Sequence, residues 1–220
     1  MFNLVFKDFL LQRKITFIAI AYSLFMLVIG ILAPIDNPMP LYTFGIIIMV
    51  YSSIQDMVGK EERCKSSLIL GSLPIDRNDL VISKYLSLIF MTIMNLVMFL
   101  LPFSIFRWIR GGSPIPFTDY IIMIVCVSAI LLSFSIYFPL YFKFGYAVMR
   151  IFPLVIYIGG LMLPGFLQKL IKRDNPMVKN ILSIIIHNPS KVLIIFFMFS
   201  LAMLLISMFI SLVIYKNRDL

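Results

Sequence analysis

The chain has 220 residues, of which 61% are hydrophobic and only 13% charged, about half the charged share of a soluble domain. That balance excludes a water-soluble globule, because a protein of this size cannot bury so much apolar side chain. The net charge of +9 does not argue for a nucleic-acid partner, because the basic residues lie between apolar runs, where membrane topology and anionic headgroups account for them.

The first stretch, "MFNLVFKDFLLQRK" (1–14), places Phe2, Val5, Phe6, Phe9 and Leu10 at helical spacing, with Asn3, Lys7 and Arg13 largely on another side. It predicts an amphipathic helix lying in the headgroup plane. Asp8 interrupts the apolar run, and no small-x-small cleavage site follows, which argues against a signal peptide. Six apolar runs come next, at about 15–33, 41–57, 80–106, 120–142, 151–166 and 192–215, set against the roughly 20 residues that a span requires.

Pro34, Pro38 and Pro40 break the chain between the first two runs. "RWIRGGSPIP" forms the turn after the third, with Trp108 suited to an interface belt. "KFGYAVMR" is a basic link between the fourth and fifth. The fifth is interrupted at Pro153 and closed by Pro164 and Gly165. Residues 167–190 carry Leu167, Leu170 and Ile171, then Ile181, Leu182, Ile184 and Ile185, with Pro176 between them. This pattern predicts two short helices that dip into the outer leaflet or cap the bundle, an extracellular or re-entrant segment. No run alternates as a barrel strand does. The fold class expected is an all-α integral membrane domain over 1–220, with six transmembrane helices and an N-terminal interfacial helix.

With the N-terminus in the cytoplasm, the inside segments hold most of the Lys and Arg. The outside holds Arg107, Arg110, Lys191 and the basic residues of 167–190, namely Lys169, Lys172, Arg173 and Lys179. Early spans dominate orientation, so both termini are expected in the cytoplasm of a multi-pass protein of the cell membrane.

Most informative is the segment between the second and third runs, 58–73, inside "VGKEERCKSSLILGSLPIDRNDLVISKY". Lys60, Glu61, Glu62, Arg63 and Lys65 suit a helix, and Glu61 and Lys65 stand at i and i+4 in the favourable order. Leu68 and Leu70 extend it, Gly71 ends it, and Asp76 with Asp79 starts the next helix. A charged cytosolic helix tied to two spans reads either as a docking element for a soluble partner or as a solvated loop of helix-favouring residues.

Local chemistry is sparse. Cys64 and Cys126 are far apart, and the single His187 has no Cys or His near it, so no metal spacing exists. "GKEER" at Gly59 lacks the first glycine and the hydroxyl of a phosphate loop. Span centres offer Asn95, Ser128, Ser133 and Ser135 but no acid, which argues against a gradient-driven carrier. Lys84, Asp119, Lys143 and Arg150 fall near span ends, where long side chains reach headgroups. The nucleophile, base or metal of a membrane-embedded enzyme is missing as well. Met91, Met94 and Met98 share one face of the third span and read either as lipid contact and helix packing or as a pliable apolar lining for cargo.

The arrangement of an interfacial helix, six spans, a cytosolic helix after the second span and short helices before the sixth resembles the ABC-2 family of transporter permeases. "SLPIDRNDLVISKYL" (72–86) is similar to the segment after the coupling helix in the small bacterial branch of that family. There an "SLP-x-x-R" turn leads into a "V-x-x-K-Y" helix start, here Ser72, Leu73, Pro74 and Arg77, then Val81, Lys84 and Tyr85. That branch includes permeases similar to exporters of phenol-soluble modulins and other amphipathic peptides. The resemblance implies export of a peptide, drug or lipid-like cargo. It also implies a separate ATPase subunit carrying ATP and Mg, whose groove receives a coupling helix made by Lys60, Glu61, Glu62, Arg63, Lys65, Leu68 and Leu70. An ATPase pair closing symmetrically implies two permease copies or two related chains, with a seam from spans 1 and 5 by family likeness.

Overall fold

A computed structural model of the protein describes residues 7–10, 12–32, 39–63, 77–109, 117–156, 158–159 and 189–216. Its elements are α1 (Arg13–Leu32), α2 (Met39–Arg63), α3 (Arg77–Ile109), α4 (Phe117–Phe144), α5 (Tyr146–Met149) and α6 (Pro189–Lys216). Among the described residues there is no strand. Ahead of α1, residues 7–10 are helical and Gln12 forms a turn. There Gln12 N–H donates to Phe9 O at 3.0 Å, and Thr16 N–H donates to Gln12 O at 3.0 Å.

Helix chemistry explains the boundaries. α3 and α4 each open with an acid in the first turn, Asp79 and Asp119, and close with a base in the last, Arg107 and Lys143. Those signs complement the helix dipole. α4 stops at Gly145, whose φ of +79° suits a residue without a Cβ. The chain then re-enters helix at α5, where Arg150 N–H donates to Tyr146 O at 2.9 Å, and residues 152–156 are helical again. α3 has 33 residues and is therefore ~50 Å long, more than the ~30 Å hydrocarbon core.

The expected second span differs in one respect. α2 does not end near residue 57 but runs unbroken to Arg63, so Lys60, Glu61, Glu62 and Arg63 extend the same rod as the apolar residues before them. Lys, Glu and Arg are all good helix formers, and no Gly–Pro breaker stands there. Residues 64–76, which hold the rest of the expected coupling helix, lie outside the described residues, as do 161–188 with the expected outer-leaflet helices.

The core sits where α2, α3, α4 and α6 meet. Val50, Ile54, Met57, Val58, Val81, Leu88, Tyr137 and Phe138 are fully buried there. Aromatic rings pack through it: Tyr51 stacks on Phe134 at 4.6 Å, Phe138 meets Tyr85 at 4.7 Å, and Phe142 meets Tyr215 edge-on at 5.4 Å. α6 packs most extensively on α4. It buries Leu204 and, at helical spacing, Ser200, Ser207 and Ser211, and the small serines let helices approach closely in lipid. Tyr85 closes this seam, its hydroxyl 2.7 Å from Ser207 Oγ and 2.8 Å from Ser211 Oγ. On the other side α1 and α2 cross closely against α3 at Gly45, where an added Cβ would stand 2.8 Å from the Phe99 ring and 3.0 Å from Tyr22.

Outward faces are oily. Phe17, Leu24, Phe25 and Val28 on α1, and Ile194, Ile195, Phe209 and Val213 on α6, are exposed, as lipid-facing residues are. Among the described residues, three helical stretches are long and apolar enough to cross a membrane: Asn78–Ile109, Asp119–Phe144 and Pro189–Lys216.

Candidate functional site

The densest chemistry lies where the N-terminal segment meets the end of α2 and the start of α3. Glu61 sits in the last turn of α2, Lys84 is the eighth residue of α3, and Asp8 comes from the helical segment before α1. All three are buried, with 8%, 7% and 1% exposure. The Lys84 ammonium donates to Glu61 Oε1 at 2.6 Å and to Asp8 Oδ2 at 3.1 Å. Ser87, one turn further along α3, donates to Asp8 Oδ2 at 2.9 Å. Lys7 donates to Glu61 Oε1 at 2.9 Å and lies 3.6 Å from Asp8 Oδ1. Two ammoniums thus face two carboxylates, and the group is formally neutral.

Burying charges is costly, and a buried group holds together only when each charge is paired and hydrogen-bonded. The two acids answer differently. Burial alone would raise the Glu61 carboxyl, but Lys84 and then Lys7 outweigh it and hold Glu61 below its ordinary value. At Asp8 burial wins over Lys84, and the carboxyl stands above its ordinary value. For Lys7, burial is outweighed by Glu61, and its ammonium is held above the usual range.

The junction's position matters more than its chemistry. Glu61 and Lys84 are the roots from which residues 64–76 depart and return. Their ion pair ties the two roots together, and Asp8 ties both to the N-terminal segment. On α2's other flank, Gln55 Nε2 donates to Met149 O at 3.2 Å. Gly59 leaves room for Tyr146, whose hydroxyl would stand 2.8 Å from an added Cβ. The last two turns of α2 are therefore held by α5, by α3 and by the N-terminal segment.

The residues expected to dock a partner are divided by this packing. Glu61 turns inward to Lys84 and Lys7. Lys60 pairs with Asp56 one turn back. Glu62 and Arg63 are exposed. Lys65, Leu68 and Leu70 lie outside the described residues. Met91, Met94 and Met98 are brought together: with Phe9, Thr16, Ser53 and Asn95 they line one narrow cleft between the N-terminal segment, α1, α2 and α3. Met91 is buried, and the other two are half-buried.

Lys84 corrects the sequence reading, which sent it to the headgroups. Its partners are 76 and 23 residues away in the chain, and they hold it inside. Asp119 is likewise buried rather than dangling, with Arg107 3.6 Å from its Oδ2. A signal for the junction existed: opposite charges, Asp8 beside Lys7 in "VFKDFLL" and Lys84 alone in "VISKYLSL", are expensive in apolar runs unless they find each other.

A family model described as ABC-2 family transporter protein matches residues 3–216, nearly the whole chain. The chain belongs to the ABC-2 transporter family. Comparison with curated proteins and with solved structures gives no match. As an ABC-2 protein the chain is a membrane permease of the ABC transporter class. In this ABC-2 permease the ionic junction lies at the roots of the segment that the family resemblance assigns to ATPase coupling.

Proposed function

We propose that this ABC-2 permease is the membrane subunit of an exporter that moves an amphipathic peptide, drug or lipid-like cargo out of the cell, driven by a separate ATPase. The observation that carries this reading is the Asp8–Glu61–Lys84 junction. A loop that receives force from a soluble partner transmits it only if its roots are stiff, and here both roots and the N-terminal segment are pinned by charged hydrogen bonds. Such bonds are stronger than neutral ones.

In this reading the chain crosses the membrane six times, with α1, α2 and the 151–166 run adding to the three long apolar helices, and both termini are cytoplasmic. The ATPase carries ATP and Mg. It contacts the exposed Glu62 and Arg63 together with Lys65, Leu68 and Leu70, while Glu61 anchors the base and Lys60 flanks it. Two permease copies, or two related chains, face one ATPase pair. Met91, Met94 and Met98 contribute apolar, adaptable surface to the cargo path.

The test is charge reversal at the exposed positions, Glu62→Lys with Arg63→Glu, in cells that make the ATPase. The expected result is loss of ATPase copurification and of ATP-dependent efflux, with the permease still folded in the membrane. Normal copurification and efflux would overturn the docking assignment.

A further inference from the structure

Asn95 lies on α3 with 4% exposure. Its amide nitrogen donates to Met91 O at 2.9 Å. Its carbonyl oxygen is buried and has no partner among the described residues. In a membrane interior such an orphan acceptor is costly, because lipid offers no donor. Asn95 lines the narrow cleft shared with Thr16 and Ser53. Both hydroxyl protons there are already committed, Ser53 to Met49 O at 2.8 Å and Thr16 to Gln12 O at 3.2 Å. The polar side of the cleft is therefore rich in lone pairs and short of protons. The species that fits brings donors of its own and is small, since the cleft has room for about one water molecule.

The surrounding seam is polar on the same side. Asp8, Gln12, Thr16, Ala19 and Ser23 recur at helical spacing, and all but Thr16 are buried. Both amide atoms of Gln12 are buried without a partner among the described residues. On α3, Lys84, Ser87 and Met91 follow one another at three- and four-residue steps toward Asn95. The stripe leads from the ionic junction to the cleft.

We propose that the cleft is a hydration site, in which an ordered water donates to Asn95 Oδ1 and to Ser53 or Thr16 Oγ. A water there satisfies the Asn95 acceptor and gives the α1–α2–α3 seam an exchangeable hydrogen bond where apolar packing would interlock. This holds whatever the cargo is.

The test is X-ray hydroxyl-radical footprinting of the full-length protein in lipid nanodiscs, read by mass spectrometry as sulfoxide formation at each methionine. Radicals born from a bound water attack adjacent sulfur even where bulk solvent does not reach. Met91 (3% exposed) and Met57 (0% exposed) are both buried, but only Met91 lines the cleft. Met91 is expected to oxidise several-fold faster than Met57, and Asn95→Leu, which keeps bulk but deletes the acceptor, is expected to bring the two rates together. Equal rates in the unmodified protein, or a Met91 rate unchanged by Asn95→Leu, would overturn the proposal. The comparison within the unmodified protein stands even if the variant fails to fold.

Discussion

Lys84 donates to carboxylates from two different elements, so removing it does more than delete one bond. Lys84→Met leaves the two buried carboxylates of Asp8 and Glu61 with, among the described residues, only the partly exposed Lys7 to balance them. A broken buried ion pair costs about 3–5 kcal/mol, whereas replacing the whole charged group by apolar or neutral residues of similar volume is often nearly neutral. Lys84→Met is therefore expected to lower the unfolding temperature of the detergent-purified protein sharply, and adding Asp8→Asn and Glu61→Gln, which leaves only the partly exposed Lys7 of the group charged, to recover much of that loss. A triple variant no more stable than Lys84→Met would show that the charges are not coupled as the distances imply. The acids also set a pH response. Glu61 is held below its ordinary value of 4.5, so its contribution is present above that pH and lost as pH falls through its lowered value. Asp8 runs the other way: its carboxyl stands above 3.8, so its contribution is present at low pH and lost as pH rises through the raised value. Glu61→Gln is expected to flatten the acid-side loss in thermal unfolding measured below about pH 5, while Asp8→Asn leaves that limb in place.

At the scale of elements, α6 depends on polar glue as well as on oil. Between helices in lipid there is little hydrophobic drive, so small residues and hydrogen bonds carry weight. Tyr85 supplies both, a ring against Phe138 and a hydroxyl between Ser207 and Ser211. Tyr85→Phe keeps the ring and removes the hydroxyl. Each serine can fall back on a carbonyl of its own helix, as Ser200 already does with Phe197 O at 2.7 Å. The expected cost is therefore modest, about 0.5–1.5 kcal/mol, and it should appear as faster proteolysis in the 161–188 stretch leading to α6 with little change near α1. An equal change at both ends would place Tyr85 in a global role instead. The length of α2 was harder to read from sequence than its existence. The shift from apolar to charged residues at Lys60 looks like the end of a span, yet every residue from there to Arg63 favours helix, and Glu61 finds its partners only when the rod continues.

For the whole molecule, the proposed six-span arrangement would place 167–190 outside the cell. A cysteine replacing Lys179, after Cys64 and Cys126 are changed to Ser, is expected to react with a membrane-impermeant thiol reagent in intact cells. Labelling only after lysis would reverse the topology. Protection in both conditions would argue that the segment is buried in the bilayer. The same experiment at Arg63 is expected to give the opposite pattern, with labelling only after the membrane is opened, because Arg63 ends α2 on the side of the ionic junction. Together the two sites decide orientation without relying on charge counts, which the basic residues of 167–190 blur.

Composition and the period of its apolar runs determined that this protein is helical and lives in lipid, because only helices and closed barrels satisfy a polar backbone in lipid and no run alternates as a barrel strand does. The ordering of charges also located the segment between the second and third runs as the chemically distinct one, and the family match over 3–216 agrees with the permease that its residues resemble. Only tertiary structure decided what the scattered charges do. Asp8, Glu61 and Lys84 are remote in sequence, and each read alone looks like a surface residue near a span end. Their meeting depends on how α1, α2 and α3 cross, at a contact as close as Gly45 permits, and long-range packing of that kind leaves no periodic trace in a single chain. The orphan Asn95 carbonyl belongs to the same class, for burial is a property of neighbours rather than of a residue.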